Sequence, residues 1–166
     1  MENKPGAFID RIGQGISWLN LALILIVCVD ILIRELFKIS FAWVFELEWH
    51  LFAIIWLIGS SYALRHDKHV RVDLFYSKFT PEQKALVDFW GTLLFLIPWA
   101  GIMGYLAFNY AFESFLIREN SPTPGGLPAL YVIKFTVVLA FLLLIIQGGL
   151  MLREKWVLAF HRSKSI

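Results

Sequence analysis

Several ionisable side chains lie inside long apolar stretches of this sequence, where a charge is costly. Five of them lie in the first two stretches and could act together: Asp30, Arg34, Glu46, Glu48 and His50. Within a membrane, such groups pair with one another or line a path for ions or substrate. Asp30 and Arg34 have the i,i+4 spacing of a helical ion pair. Glu46 and His50 share a helix face by the same spacing, while Glu48 points elsewhere, toward the interface or a partner subunit.

Arg34 and Glu46 flank a short connection between two apolar segments. In an antiparallel helix pair they would lie at similar depth, so we predict that they meet as an ion pair. The five residues together are predicted to form a structural cluster that locks helices to one another. The alternative is a place on an ion or substrate path, which a position in the outer third of the membrane disfavours.

The histidines do not suggest a cofactor site. Of the four histidines, only His50 lies inside an apolar segment, and no other segment offers a histidine at its depth for haem ligation. His66 and His69 lie beside acidic residues and could bind a metal, but a solvated polar loop accounts for them better. No cysteine pair, nucleophile elbow or phosphate-binding loop stands out. We therefore predict no cofactor and no enzymatic activity.

The elements that would position these residues are membrane-spanning helices. Hydrophobic residues make up 58% of the 166 residues and aromatic residues 16%, too many for one soluble core. A span needs about 20 mainly apolar residues, and four segments qualify: 16–36, 42–64, 86–116 and 130–152. We predict an all-α membrane protein, with residues 1–166 forming a single domain of four transmembrane helices in an antiparallel bundle.

The distribution of lysine and arginine predicts the orientation of the bundle, because cytoplasmic loops carry more of them. Four of the 15 lie at the two predicted outer connections: Arg34, Lys38, Arg118 and Lys134. The other eleven lie in the termini and the central loop: Lys4, Arg11, Arg65, Lys68, Arg71, Lys78, Lys84, Arg153, Lys155, Arg162 and Lys164. Both termini and the central loop are therefore predicted to be cytoplasmic.

The third segment is longer than a membrane requires. Thr80, Pro81 and Gln83 give a strong helix start signal, and nothing ends the helix before Arg118. At 1.5 Å per residue this helix would exceed a hydrocarbon core of about 30 Å, so it must tilt, kink at Pro98 or extend along the membrane surface.

The N-terminal segment before the first span has two interpretations. Residues 5–15 form either an amphipathic helix at the membrane interface or a disordered tail.

The connection after Arg118 is dense in turn-forming residues. It is either a rigid connector between helices or a docking surface for an extracytoplasmic partner. The residues that we assign to this possible periplasmic docking loop are Glu119, Ser121, Gly125, Gly126, Leu127 and Pro128.

The sequence lacks the features of a secondary carrier, which usually has repeated halves and discontinuous helices. The four spans show no internal repeat, and Pro98 is the single strong helix-breaking residue within them. The chain is predicted to assist a partner.

Several of these segments together resemble a known family of membrane subunits. The most specific part is a junction in which a glycine-bearing span leads into a basic segment, formed by Gly59, Arg65, His69, Arg71 and Asp73. Matching features extend over most of the chain: Arg34, the acidic segment from Trp43 to Trp49, the loop after Arg118, Lys134 and Gln147. The sequence is similar to the small membrane subunit (DctQ type) of tripartite ATP-independent periplasmic (TRAP) transporters.

The resemblance implies a role in a three-part importer of the bacterial inner membrane. A periplasmic substrate-binding protein would deliver an organic anion, a carboxylate or sulfonate, to a large membrane subunit (DctM type) that carries it with sodium ions. The small subunit would be a non-catalytic scaffold that stabilises the large subunit and helps to dock the binding protein. Its partners would be those two proteins and the lipid bilayer, without nucleic acid. The alternative is a membrane anchor of a redox enzyme complex.

Overall fold

The computed structural model describes residues 7–66, 76 and 78–158. Over these ranges the chain is helical and contains no strand. Four helices are long and apolar enough to cross a membrane: α1 (Ala7–Phe37), α2 (Ala42–Arg65), α3 (Pro81–Leu116) and α4 (Tyr131–Trp156). The prediction of an all-helical chain with four candidate spans is confirmed. Many large apolar side chains face outward, among them Trp18, Trp56 and Phe95, as expected where lipid or a partner surrounds the helices.

The first helix begins well before the predicted span and packs on the end of α2. Ile9 is buried, and a Cβ atom on Gly13 would lie 2.5 Å from Cγ of Tyr62, so only glycine permits this approach. Asp10 accepts a 2.8 Å hydrogen bond from Nε of Arg65. Residues from Ala7 onward are therefore helical and held by α2, which excludes a disordered tail for this part of the chain.

The third helix starts where the sequence predicts. The Thr80 hydroxyl accepts a hydrogen bond from the Gln83 N–H at 3.3 Å, and the Gln83 side chain accepts one from the Thr80 N–H at 3.0 Å. This reciprocal pair is a capping box, and Pro81 occupies the first turn, where its missing N–H costs nothing.

The irregularity in α3 is a widened turn. Residues Thr92–Leu96 are π-helical, and the Ile97 N–H donates to the Thr92 carbonyl, five residues back. Pro98 follows closely; it has no N–H for the Leu94 carbonyl, and its ring would clash with that group in a regular helix. Widening the preceding turn relieves both problems. The structure thus shows a local change of helix geometry beside Pro98, while tilt and extension of α3 along the membrane surface stay predictions.

The fourth helix is the centre of the packing. The second half of α3 lies along α4 over small residues, since Ala100, Ala111 and Ala140 are all buried. A Cβ atom on Gly104 would be 3.3 Å from Phe141, so the two helices approach closely there. The second helix also packs on α4, while α1 packs mainly on α2. Gly59 on α2 differs, because the space beside it is open.

Candidate functional site

The connection between α3 and α4 folds on itself and has its own network of hydrogen bonds. The Ser121 N–H donates to the Leu127 carbonyl at 3.2 Å, and the Leu130 N–H donates to the Glu119 carbonyl at 2.9 Å. The Asn120 side chain accepts from the Ala129 N–H at 3.1 Å. These bonds tie the start of the connection to its end. We call residues 119–130 the locked loop.

A tight turn forms the tip of the locked loop. The Gly126 N–H donates to the Thr123 carbonyl at 2.9 Å, and Gly125 between them has a φ of 76°. Pro124 precedes this glycine, which is the residue order of a type II turn, because proline fixes the first central position and glycine accepts positive φ at the second. Residues 122–125 are all exposed. The tip therefore presents an exposed surface whose backbone shape is set by a hydrogen-bonded turn.

A buried glutamate on α2 anchors the locked loop. Glu46 is 7% exposed, and its Oε2 accepts the Leu127 N–H at 2.6 Å. Its other oxygen, Oε1, accepts the Ser121 hydroxyl, whose own oxygen accepts the Thr123 N–H at 3.1 Å. A Cβ atom on Gly126 would collide with the Ser121 hydroxyl and lie 2.7 Å from Glu46 Oε1. Glycine is therefore required where the loop backbone meets the carboxylate.

A second carboxylate holds the start of the locked loop between α3 and α4. Glu119 accepts a 2.6 Å hydrogen bond from the Ser114 hydroxyl and pairs with the Lys134 ammonium. Lys134 also lies 3.9 Å from the ring centroid of Tyr110. The hydrogen bond from Lys134, followed by the one from Ser114, holds the pKa of the Glu119 carboxyl below its ordinary value.

The lowered pKa of Glu119 predicts a pH dependence of stability. Its ionised form stabilises the fold fully above the ordinary glutamate pKa of about 4.3, and this is lost as the pH falls through the lower folded-state pKa. Glu119→Gln should thus lower the thermal unfolding temperature at pH 7, with a smaller difference from wild type near pH 3.5. Glu113→Gln, at an exposed position near the end of α3, is the control. A Glu119→Gln deficit that is equal at both pH values would contradict this role.

The observed partners of the ionisable residues in α1 and α2 differ from those that the sequence predicted. Arg34 pairs with Asp30 one turn away, as the i,i+4 spacing indicates, but not with Glu46. Both oxygens of Glu46 already accept hydrogen bonds from the locked loop, and this is why the expected Arg34–Glu46 pair is replaced. Glu48, which we expected to point away, lies within electrostatic reach of Asp30 and Arg34. Its Oε1 is buried and has no hydrogen-bond partner among the described residues.

The remaining predicted residues have separate surroundings. His50 follows Glu46 on the same face, with its Nδ1 2.6 Å from the Glu46 carbonyl oxygen. Gly59 and Arg65 of the junction lie apart, one beside open space and one bonded to Asp10. The other junction residues lie outside the described residues: His69, Arg71 and Asp73.

Some residues of the possible docking loop hold the loop together, and others are exposed on its surface. Four of the residues assigned to it have internal roles in the network: Glu119, Ser121, Gly126 and Leu127. Gly125 and Pro128 are exposed. The anchor Glu46 was missed as part of this site, because it lies 75 residues before Ser121 and no local pattern connects them.

The described residues contain no group of three or more histidine, cysteine or acidic side chains arranged to hold a metal ion. The described part of the chain has four helices of spanning length and an ordered connection between the last two, and these features indicate a multi-pass membrane protein. The model of the family described as the DctQ component of tripartite ATP-independent periplasmic transporters matches residues 23–158. The chain belongs to this family and is a small membrane subunit of a TRAP transporter. No individual curated protein matches the sequence.

Proposed function

We propose that this chain is a non-catalytic scaffold of a sodium-coupled importer for organic anions of the carboxylate or sulfonate type, in the bacterial inner membrane. In this role it stabilises the large DctM-type subunit and helps to dock the periplasmic substrate-binding protein. Membership of the DctQ family supports the assignment to this kind of importer. The locked loop is the structural observation that carries the docking role.

A rigid loop suits docking because a binding surface that is already ordered loses less conformational freedom on association. The locked loop has its backbone paired internally and its base fixed by Glu46 and Glu119. Its tip, residues 122–125, is left exposed. In our proposal the tip contacts the binding protein, while the two glutamates hold it at a constant height above the membrane.

The scaffold role requires the surface of the helices to receive a large apolar partner. Exposed aromatic side chains occur along the spans, including Trp56 at 70% and Phe95 at 74% exposure. Such residues bury well against lipid or against another membrane subunit. The large subunit is expected to cover part of this surface and the bilayer to cover the rest.

Reconstitution tests the proposed function. This chain alone in liposomes should move no substrate, whereas its omission from a complete system should abolish uptake that depends on the binding protein. The measurement is uptake of a labelled organic anion driven by an inward sodium gradient, with a potassium gradient as the control. Sodium-driven uptake by the isolated chain, or full uptake without it, would refute the scaffold role.

The proposal also includes a topology in which both termini and the 66–80 connection are cytoplasmic, as the lysine and arginine distribution indicates. Single cysteines at Lys78 and Thr123, both exposed, should report the two sides in a Cys28→Ala background. An impermeant thiol reagent added outside should label Thr123→Cys at least tenfold faster than Lys78→Cys. The reverse order of labelling would overturn this topology.

A further inference from the structure

A large apolar crevice separates α2 from α3. Both helices pack on α4 but, over the described residues, have few contacts with each other. The space between them has a volume of about 1390 Å³ and is lined by mainly apolar side chains, including Trp56, Phe95 and Leu144. A space of this kind would not hold ordered water, because each water needs two to four polar partners. Within a bilayer it must be filled by hydrocarbon or by another helix.

The length of the crevice distinguishes between these two occupants. On α2 the lining runs from Ile55 to Leu64 and on α3 from Val87 to Trp99, which at 1.5 Å per residue is about 14–18 Å. This is about half of a hydrocarbon core of about 30 Å. A spanning helix would need the full thickness. A crevice that extends over one leaflet only instead fits a lipid of that leaflet.

One end of the crevice is polar. Asp88 and Tyr76 belong to its lining, and the Tyr76 hydroxyl donates to both Asp88 oxygens at 2.9–3.0 Å. The Lys155 ammonium lies 2.7 Å from Asp88, so these two charges offset one another. Lys84 lies 5.3 Å from the ring centroid of Tyr76 and, among the described residues, forms no ion pair. Lys84 is therefore a lysine beside this end of the crevice that has no acidic partner among the described residues.

From these observations we propose that the crevice is a binding site for an anionic phospholipid. The acyl chains occupy the apolar part between α2 and α3, and the phosphate lies beside Lys84 at the polar end. The lipid comes from the leaflet next to the 66–80 connection. The bound lipid would fill the crevice between α2 and α3, so that α3 packs against the lipid as well as against α4. The inference depends on the membrane location but not on the proposed transport role.

Two glycines provide a matched test. Gly59 lines the crevice and Gly101 lies on α3 outside it, and an added Cβ atom would meet nothing within 4 Å at either position. Gly59→Leu should therefore fold and fill the crevice, while Gly101→Leu fills nothing. The full chain, purified in its membrane complex and delipidated, is incubated with phosphatidylglycerol or phosphatidylcholine, and the retained lipid is counted by native mass spectrometry.

Wild type and Gly101→Leu should retain one phosphatidylglycerol, and Gly59→Leu should lose it. Lys84→Gln should reduce the preference for phosphatidylglycerol over phosphatidylcholine roughly fivefold, the effect of one lysine near an anionic headgroup, whereas Lys78→Gln should not. Equal retention by the two leucine variants would overturn the site. So would a cross-link from Gly59→Cys to another protein subunit, which would show that a helix fills the crevice. If a variant misfolds, the preference of the wild type for phosphatidylglycerol over phosphatidylcholine still tests the proposal.

Discussion

Replacing Gly126 by alanine should lower uptake that depends on the binding protein at least tenfold while leaving the assembled complex in the membrane. The new methyl group would collide with the Ser121 hydroxyl and lie 2.7 Å from the Glu46 carboxylate. One of the two must move, and the hydrogen bonds that fix the locked loop then break. The measurement is uptake in proteoliposomes, normalised to the amount of complex. Gly101→Ala, where the added atom meets open space, is the control.

Two substitutions of Glu46 distinguish the role of its hydrogen bonds from the role of its negative charge. Glu46→Ala removes the acceptors of both the Ser121 hydroxyl and the Leu127 N–H, so its uptake should fall as far as that of Gly126→Ala. Glu46→Gln should keep most of the uptake, because the amide oxygen can accept from Leu127 and the amide nitrogen can donate to the serine oxygen. Normal uptake by both Gly126→Ala and Glu46→Ala would show that a fixed loop is not needed for docking.

Replacing Gly13 by alanine should lower the thermal unfolding temperature by roughly 2–12 °C, as expected for overpacking that costs about 1–3 kcal/mol. The added atom would lie 2.5 Å from Cγ of Tyr62 and closer still to the ring edge. The Tyr62 ring cannot move aside easily, because its centroid lies 4.4 Å from the centroid of the His66 ring. The start of α1 should therefore move away from α2, which weakens the bond from Arg65 to Asp10.

Gly15 provides the control, because an added Cβ atom there meets nothing within 4 Å. Gly15→Ala should keep or slightly raise the unfolding temperature, since alanine favours a helix by about 1 kcal/mol over glycine. In a Tyr62→Ala background, Gly13→Ala should lose most of its effect, because the colliding ring is gone. Purely additive losses in that double mutant would show that the collision is not the cause.

What could be predicted from the sequence is mostly local along the chain. Hydropathy over about 20 residues located the spans, and the i,i+4 spacing located the pair of Asp30 and Arg34. The capping box at Thr80 could also be recognised, because its two partners are three residues apart. Each of these features depends on neighbours that the helix geometry itself brings together.

What could not be predicted depends on distant contacts. Equal depth in the membrane suggested Arg34 as the partner of Glu46, but depth does not specify which face of α2 meets α1 and which meets the loop. The hydrogen bond from the Leu127 N–H crosses 81 residues, and its donor is a backbone group that every residue type except proline possesses. A side-chain pattern therefore cannot reveal it. The crevice beside Gly59 likewise reflects the separation of α2 from α3, which hydropathy does not encode.

The widened turn at Thr92–Leu96 makes α3 sensitive to its length as well as to its composition. This stretch holds one residue more than an α-helix needs for the same number of turns. Removing one residue here would leave the faces on either side in place, but it would also restore regular winding and with it the clash between the Pro98 ring and the carbonyl four residues before it. Removing one elsewhere in the helix would rotate everything beyond it by about 100° and turn Ala100 and Ala111 away from α4. The turn is thus the point at which a gene for this subunit can lose a codon in α3 without loss of the fold, provided that Pro98 is replaced as well by a residue with a backbone N–H.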